Sequence, residues 1–182
     1  MVNADELARE VVAPGSPGLA AVVEEFGPAV LGADGALDRK KLAARVFAEP
    51  DARRRLEAIT HPRIQALMRE RMAAFAQRGE PLACYEAPLL VEVGSAGQLR
   101  PLVVVAAAEE HQIARAAGRD GMSETEARRR LAAQLPLAEK TKVADYVIDN
   151  DGSVLEAEAA ADRVLDAICR GLGIATERYP RP

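Results

Sequence analysis

Short apolar runs alternate with helical repeats along the 182 residues. The clearest strand signal is Leu102-Val103-Val104-Val105, a continuous β-branched run typical of a strand that is buried on both faces. Weaker signals predict further strands at Met1–Ala4, at Leu82–Ala87 and at Tyr146–Ile148, the last closed by the turn sequence of residues 149–152. Because helical stretches separate these strands, the pattern predicts right-handed crossovers and an α/β fold with a parallel sheet.

Apolar residues recur at steps of three and four over residues 64–75 and 161–172, which predicts a helix in each place. His61-Pro62 predicts the start of the first helix, because proline fits a first helical turn. Between the first two strands the chain looks entirely helical, with breaks at Asp34-Gly35 and Glu49-Pro50. A crossover needs one helix, so the surplus predicts an insertion over the strand ends where α/β proteins bind ligands. A helical insertion that only stabilises the fold, without binding a ligand, explains the long helical segment equally well.

Composition limits the class of protein. An apolar share of 49% allows a sizeable core, and 182 residues fit a single domain. The net charge of -4 disfavours a nucleic-acid coat protein. Cys84, in a predicted buried strand, and Cys169, in a late helix, lack zinc or CxxC spacing, which favours a reduced, cytoplasmic protein. The sequence shows no leader and no apolar run near the ~20 residues that span a bilayer, so we expect no membrane partner.

Asp5 is the first candidate for chemistry, since it follows the first predicted strand. A carboxylate there can accept a proton from a substrate hydroxyl or hold a magnesium-bound water. The alternative is that Asp5 only caps a helix from Glu6 to Val12.

Arg115 and Arg119 stand at i, i+4 after the third strand and could clamp a phosphate chain as charge develops on it. A solvated helix face is the alternative. Gly118–Gly121 is a possible hinge, and the following arginines, 128–130, favour a mobile lid. His61 could donate to a phosphate or fill a capping or core role. His111 has no second histidine at ligand spacing, so we expect no metal site.

Several uncommon motifs together resemble the dephospho-coenzyme A kinase family. Residues 3–17, NADELAREVVAPGSP, resemble its "DAD-x-x-AR-x-VV-x-PG-x-P" stretch, and Pro88-Leu89-Leu90-Val91-Glu92 resembles its "PLL-x-E" segment. The resemblance is collinear from Met1 to about residue 170. Further matching positions are Leu37-Asp38-Arg39, Phe47, residues 56–62, the lid positions Gln112, Arg115, Arg119-Asp120-Gly121 and Gln134, and residues 144–150.

This resemblance implies a P-loop fold of the nucleoside-monophosphate-kinase type in one domain, with an acceptor-binding helical region at about 13–80 and a lid at about 112–143. It implies transfer of the γ-phosphoryl of ATP, with Mg²⁺, to the ribose 3′-hydroxyl of dephospho-coenzyme A, the last step of coenzyme A synthesis. The substrates would be small molecules, with no nucleic acid or membrane. The implied roles are general base for Asp5, phosphoryl stabilisation for Arg115 and Arg119, contact with the ATP base for Asn150, and acceptor binding for Arg9, His61, Pro88, Leu89, Leu90 and Glu92.

One departure from the family concerns the phosphate-binding loop. The 182 residues contain no G-x-x-x-x-G-K-[ST] motif, whose strand, loop and helix need roughly thirty residues before the second family strand. We therefore expect a sequence truncated at its start, without the central strand of the family order 2-3-1-4-5, and with little activity. Such a chain should be poorly stable, or its second and third remaining strands should pair across the gap. Smaller departures are Asn3 and Glu86, where aspartate is common in the family.

Two other interpretations stay open. The chain could be a non-catalytic module that binds coenzyme A-like ligands or a partner. It could also be a kinase for a different acceptor, although the acceptor-side motifs favour dephospho-coenzyme A.

Overall fold

The computed structural model describes residues 1–179, apart from the side chain of Pro50. The chain forms two compact units, residues 1–88 and residues from 89 on, and each unit has its own two-stranded parallel sheet. The α/β class and the parallel pairing are confirmed.

The first unit is mainly helical. Its sheet pairs β1 (Val2–Asn3) with β2 (Tyr85–Glu86), with Val2 opposite Tyr85 and Asn3 opposite Glu86. Its elements are β1 (Val2–Asn3), α1 (Ala4–Glu10), α2 (Pro17–Phe26), a 3₁₀ turn (Pro28–Val30), α3 (Arg39–Ala48), α4 (Pro50–Gln77) and β2 (Tyr85–Glu86).

Phe26 is the centre of the first unit's core. It is fully buried at the end of α2 and packs in one cluster with Val22 and Leu42. Burying such a side chain stabilises the fold by roughly 1.5–3 kcal/mol. The guanidinium groups of Arg45 and Arg55 lie 5.8 and 5.9 Å from its ring centre, so the aromatic core residue is covered by cations rather than exposed to water.

Helix α2 begins where the sequence changes from turn to helix formers. Ser16 caps it, its Oγ accepting from the Leu19 N–H at 3.0 Å, and Pro17 occupies the first turn. Gly18 lies so close to the end of α1 that a Cβ would stand 1.9 Å from the Val11 carbonyl oxygen. Only glycine therefore allows this approach of the two backbones.

The prediction of a helix starting at His61 is wrong. Helix α4 runs unbroken from Pro50 to Gln77, with Pro62 inside it. Glu49-Pro50 is the true start, because Pro50 already occupies a first-turn position. Pro62 has no N–H for the Ala58 carbonyl, but packing of Ile64 and its neighbours against the core keeps the helix continuous.

The second unit pairs β3 (Val103–Ala106) with β4 (Tyr146–Asp149) over four residues, from Val103 opposite Tyr146 to Ala106 opposite Asp149. Helix α8 (Val154–Leu172) begins with a capping box between Ser153 and Glu156 and ends at Gly173, which has φ +68°. The elements are a 3₁₀ turn (Ala96–Gln98), β3 (Val103–Ala106), α5 (Glu109–Asp120), α6 (Glu124–Ala132), α7 (Leu137–Val143), β4 (Tyr146–Asp149), α8 (Val154–Leu172) and a 3₁₀ turn (Thr176–Arg178).

Three expectations about burial and pairing need correction. Strand β3 is not buried on both faces, since Val105 is 59% exposed and Val147 on β4 is 47% exposed. Cys84 is exposed and precedes β2 instead of lying in a buried strand, whereas Cys169 lies in the late helix α8 as predicted and is buried there. The strands within residues 1–179 form two two-stranded sheets, so this part of the chain has neither one continuous sheet nor pairing of the second with the third strand.

Within residues 1–179, none of the helices combines the length and the apolar character needed to cross a bilayer.

Gly18→Ala should destabilise the first unit by about 1–3 kcal/mol, because the new methyl group overlaps the Val11 carbonyl and the two helices must separate. Hydrogen exchange of the α1 and α2 amides measures this loss. The matched control is Gly171→Ala in α8, where a Cβ meets nothing within 4 Å; it should be neutral or stabilising by up to about 1 kcal/mol. Unchanged α2 protection in Gly18→Ala would contradict the close contact.

Candidate functional site

Asn3, rather than Asp5, caps α1. Its Oδ1 accepts from the Asp5 N–H at 2.9 Å and from the Glu6 N–H at 3.2 Å. The helix begins at Ala4, so Asp5 lies in the first turn and the capping alternative for Asp5 is wrong. The exposed Asp5 carboxylate has no hydrogen-bond or ion-pair partner among the described residues. It is therefore available to a ligand.

The two departures from the family pattern contact each other. Asn3 donates from Nδ2 to Glu86 Oε2 at 2.8 Å, joining the residues at the carboxyl ends of β1 and β2. Beside them, partial burial and then the negative charge of Asp5 raise the pKa of the Tyr85 hydroxyl. At the carboxyl end of this strand pair, the carboxylates of Asp5 and Glu86 therefore both lie near the neutral amide of Asn3.

The other residues assigned to acceptor binding in the first unit lie on separate elements. Arg9 is exposed near the end of α1, and His61 is exposed in the middle of α4. The two helices pack together and are joined by an ion pair between Arg71 and Glu10 at 2.7 Å. Pro88 follows β2 and is exposed. No hydrogen bond or ion pair joins Arg9 or His61 to Asp5 in the described part of the chain.

The second unit has a pocket of about 250 Å³ at the carboxyl end of β3 and β4. Arg115 and Arg119 from α5 line it together with Asn150, the residue after β4, so the structure brings these sequence-predicted residues together. Arg115 Nη1 donates to the Asn150 carbonyl at 2.6 Å, and Gln112 Nε2 donates to the Ala107 carbonyl at 2.6 Å. The wall of the pocket is completed by Val105, Ala106 and Ala116.

Arg119 is already partly neutralised. Its Nε and Nη2 donate to the Asp120 carboxylate at 2.7 and 3.1 Å, which raises the pKa of Arg119 and lowers that of Asp120. Arg130 on α6 lies 3.9 Å from the same carboxylate. Gly121 ends α5 with φ +64°, so the expected break lies at this glycine, whereas Gly118 is helical. Arg115 is the pocket arginine that lacks a carboxylate hydrogen bond within residues 1–179.

Asp151 was missed by the sequence analysis. Its Oδ1 accepts from the Ala108 N–H at 2.6 Å and lies 2.8 Å from His111 Nδ1. The Ala108 bond, and then the bond to His111, lower the pKa of the Asp151 carboxyl. The available signal was its position, since it follows a strand directly within a turn sequence that also contains Asn150.

Glu92 contacts a lysine. Its Oε1 lies 2.5 Å from Lys140 Nζ on α7, and both side chains are largely buried, at 18% and 14% exposure. Lys140 also donates to Gln134 Oε1 at 3.0 Å. The neighbouring Leu90 is buried and Leu89 is exposed. Residues 89–92 of the PLL-x-E segment are therefore attached to α7 within the second unit.

A sequence profile for dephospho-CoA kinase matches residues 1–156. The chain belongs to the dephospho-CoA kinase family. A dephospho-CoA kinase from Anaeromyxobacter dehalogenans is 51% identical over 173 residues, 95% of this chain and 82% of that protein. A crystal structure from Thermus thermophilus matches with a TM-score of 0.74 at 32% identity, over 92% of this chain and 83% of that one.

A dephospho-CoA kinase structure from Campylobacter jejuni matches with a TM-score of 0.68 at 29% identity, covering 93% of this chain and 85% of that one. The family predicted from the motifs is confirmed, and with it an enzyme of the kinase class.

In the described residues, no group of three or more His, Cys, Asp or Glu side chains is arranged to hold a metal ion.

Asn3→Asp in this dephospho-CoA kinase family member should lower the free energy of unfolding by about 1 kcal/mol, because a charge-assisted hydrogen bond to Glu86 becomes a contact between two carboxylates. Aspartate caps helices as well as asparagine, so the capping contribution stays constant. In a Glu86→Gln background the same substitution should have almost no effect. Urea titration of the four proteins measures the coupling, and equal losses in both backgrounds would disprove the contact.

Proposed function

We propose that this chain carries the machinery that transfers the γ-phosphoryl group of ATP to the ribose 3′-hydroxyl of dephospho-coenzyme A. The observation that supports this most is the position of the assigned residues. Asp5 follows β1, while Arg115 and Asn150 lie at the carboxyl end of β3 and β4. Ligands of α/β proteins bind at this end of the strands.

Asp5 is the proposed general base. A base must reach the proton that it removes, and the Asp5 carboxylate is exposed and free of capping because Asn3 occupies the cap. Asn3 is an amide and cannot accept the proton, so the role falls to Asp5. Acceptor binding is proposed for Arg9, His61, Pro88, Leu89, Leu90 and Glu92, with Glu92 acting through its contact to Lys140.

Arg115 and Arg119 are proposed to stabilise the transferring phosphoryl group, with Asn150 near the ATP base. Arg115 uses Nη1 for the Asn150 carbonyl, which leaves Nε and Nη2 to face an anion. Mg²⁺ is proposed to arrive with ATP. This ion is commonly held by one or two carboxylates plus substrate phosphates and waters, and exposed Asp5 is a residue suited to such a role.

The chain is proposed to lack the phosphate-binding loop of the family, since its sequence contains no G-x-x-x-x-G-K-[ST] motif. Without the loop, the β-phosphate lacks its backbone N–H donors and Mg²⁺ lacks a hydroxyl ligand. We therefore propose that the chain by itself binds substrate but turns over slowly.

Both units are proposed to belong to one kinase domain, with the acceptor region at about 13–80 and the lid at about 112–143. We also propose a cytoplasmic location and small-molecule substrates, without nucleic acid or membrane partners. The absent loop motif favours one alternative, a non-catalytic module that binds coenzyme A-like ligands on the same scaffold.

Turnover of dephospho-coenzyme A by this chain with ATP and Mg²⁺ should be ~100-fold or more below that of the Anaeromyxobacter dehalogenans relative, since loss of even one donor to a developing charge has that effect. A coupled enzyme assay of ADP release measures this turnover rate. Turnover at the rate of the relative would refute the role of the missing loop.

Calorimetric titration with dephospho-coenzyme A should show binding by the same chain. Arg9→Gln should weaken it, because one charge-assisted contact is worth about 1.5–3 kcal/mol. Arg53→Gln is the matched control, since Arg53 is an exposed arginine of the first unit that pairs with Glu57 on its own helix. Equal affinity of dephospho-coenzyme A for the parent and for Arg9→Gln would exclude Arg9 from the acceptor site. Absence of binding to the parent would contradict both the proposed kinase and the alternative binding module.

A further inference from the structure

We propose that Asp151 is a positioning residue that holds helix α5, and through it Arg115, at the pocket of the second unit. This inference rests on the proposed function, because it assigns Asp151 to the anion-binding side of that reaction. Asp151 does not line the pocket itself. It would act through the helix that does.

The Asp151 carboxylate binds the beginning of α5 at two points. One oxygen, Oδ1, accepts from the Ala108 N–H at 2.6 Å, which is the residue before the first turn, and contacts His111 Nδ1 at 2.8 Å within that turn. Ala108 itself has no side chain that can cap the helix. The cap of α5 is therefore supplied by a residue that is distant in sequence.

Arg115 is one helical turn beyond His111, on the same face of α5. Its Nη1 donates to the carbonyl of Asn150, the residue directly before Asp151. Three polar groups, one at the residue before α5 and two in its first two turns, thus contact two consecutive residues of the turn between β4 and α8. A helix fixed at three points has little freedom to rotate about its own axis. This fixes the Cα–Cβ direction of Arg115, and the bond to the Asn150 carbonyl holds its guanidinium.

The turn that receives these contacts is itself held in place. The Asn150 N–H donates to the Ala106 carbonyl at 2.8 Å and continues the β3–β4 pairing. The Asp151 N–H donates to Asp149 Oδ1 at 2.8 Å. Asp151 is therefore a fixed point relative to the strands, and α5 is the element that it orients.

A purely structural cap would give a different result from a positioning residue. Glu156 provides the comparison, because it accepts from both the N–H and the Oγ of Ser153 at 2.8 Å at the start of α8, and these bonds lower the pKa of its carboxyl. Glu156 belongs to the same unit and makes no contact with α5 in the described hydrogen bonds and ion pairs. Loss of Glu156 should weaken α8 without moving Arg115.

The experiment measures binding of inorganic pyrophosphate to the full chain by calorimetry. Asp151→Ala should weaken binding about tenfold, the effect that loss of one cap has on an equilibrium. Asp151→Asn keeps the Oδ1 acceptor and should restore most of the affinity. His111→Gln should give a smaller loss, and Glu156→Gln should bind like the parent. Asp151→Ala with the affinity of the parent would overturn the proposal.

Hydrogen exchange of the α5 amides provides a second readout on the same proteins. Asp151→Ala should exchange faster over the first two turns of α5, whereas Glu156→Gln should do so only in α8. If the parent and Arg115→Gln bind pyrophosphate equally, the proposed role of Arg115 fails, but faster α5 exchange in Asp151→Ala would still support the positioning contact. Unchanged α5 exchange would overturn it independently of any ligand.

Discussion

In a parallel pair of strands, both carboxyl ends meet at the same edge, so residues that follow different strands become neighbours without a long connection between them. Both units of this chain depend on that constraint. In the first, it brings Asn3 beside Glu86. In the second, it brings the residues after β3 beside Asn150 and Asp151. The pairs are short, but the polar groups at their ends are joined by hydrogen bonds.

These end contacts also explain how helices are oriented. The Asn3 side chain caps the start of α1, and the Asp151 side chain accepts a hydrogen bond from the backbone at the start of α5. In each case a carboxamide or carboxylate satisfies backbone N–H groups that a helix start leaves unpaired. One cap is local and the other comes from a remote turn. The positions of Asp5 and Arg115, the side chains proposed to contact ligands, depend on the helices that these two caps begin.

The elements that could be predicted are those with a strong local signal. The β-branched run of β3 was found within one residue of its expected position, and the apolar repeat over residues 161–172 lies within α8. Pro62 indicated a false helix start, because packing along α4 overrides its local preference for a first turn. Asp5 and Asn3 both suit a cap, and only the backbone geometry decides between them.

The candidate site was predictable where family motifs marked single positions, as for Arg115 and Asn150, which share a pocket. The contacts of Asp151 and the ion pair of Glu92 with Lys140 were not predictable, because they join residues that are far apart in sequence. Glu92 is the converse case, because a family motif marks its position but did not predict the contact that its side chain makes. Its motif suggested a ligand contact, while its carboxylate lies against a lysine in a largely buried place.

The two exposed valines on the second sheet have a consequence for the chain in solution. Val105 and Val147 form a β-branched surface on a sheet in which every strand is an edge strand. Unpaired edge strands with apolar side chains are templates for pairing with other copies. Self-association through these strands should therefore increase with protein concentration, so the strands that line the proposed anion-binding pocket are also a site of aggregation.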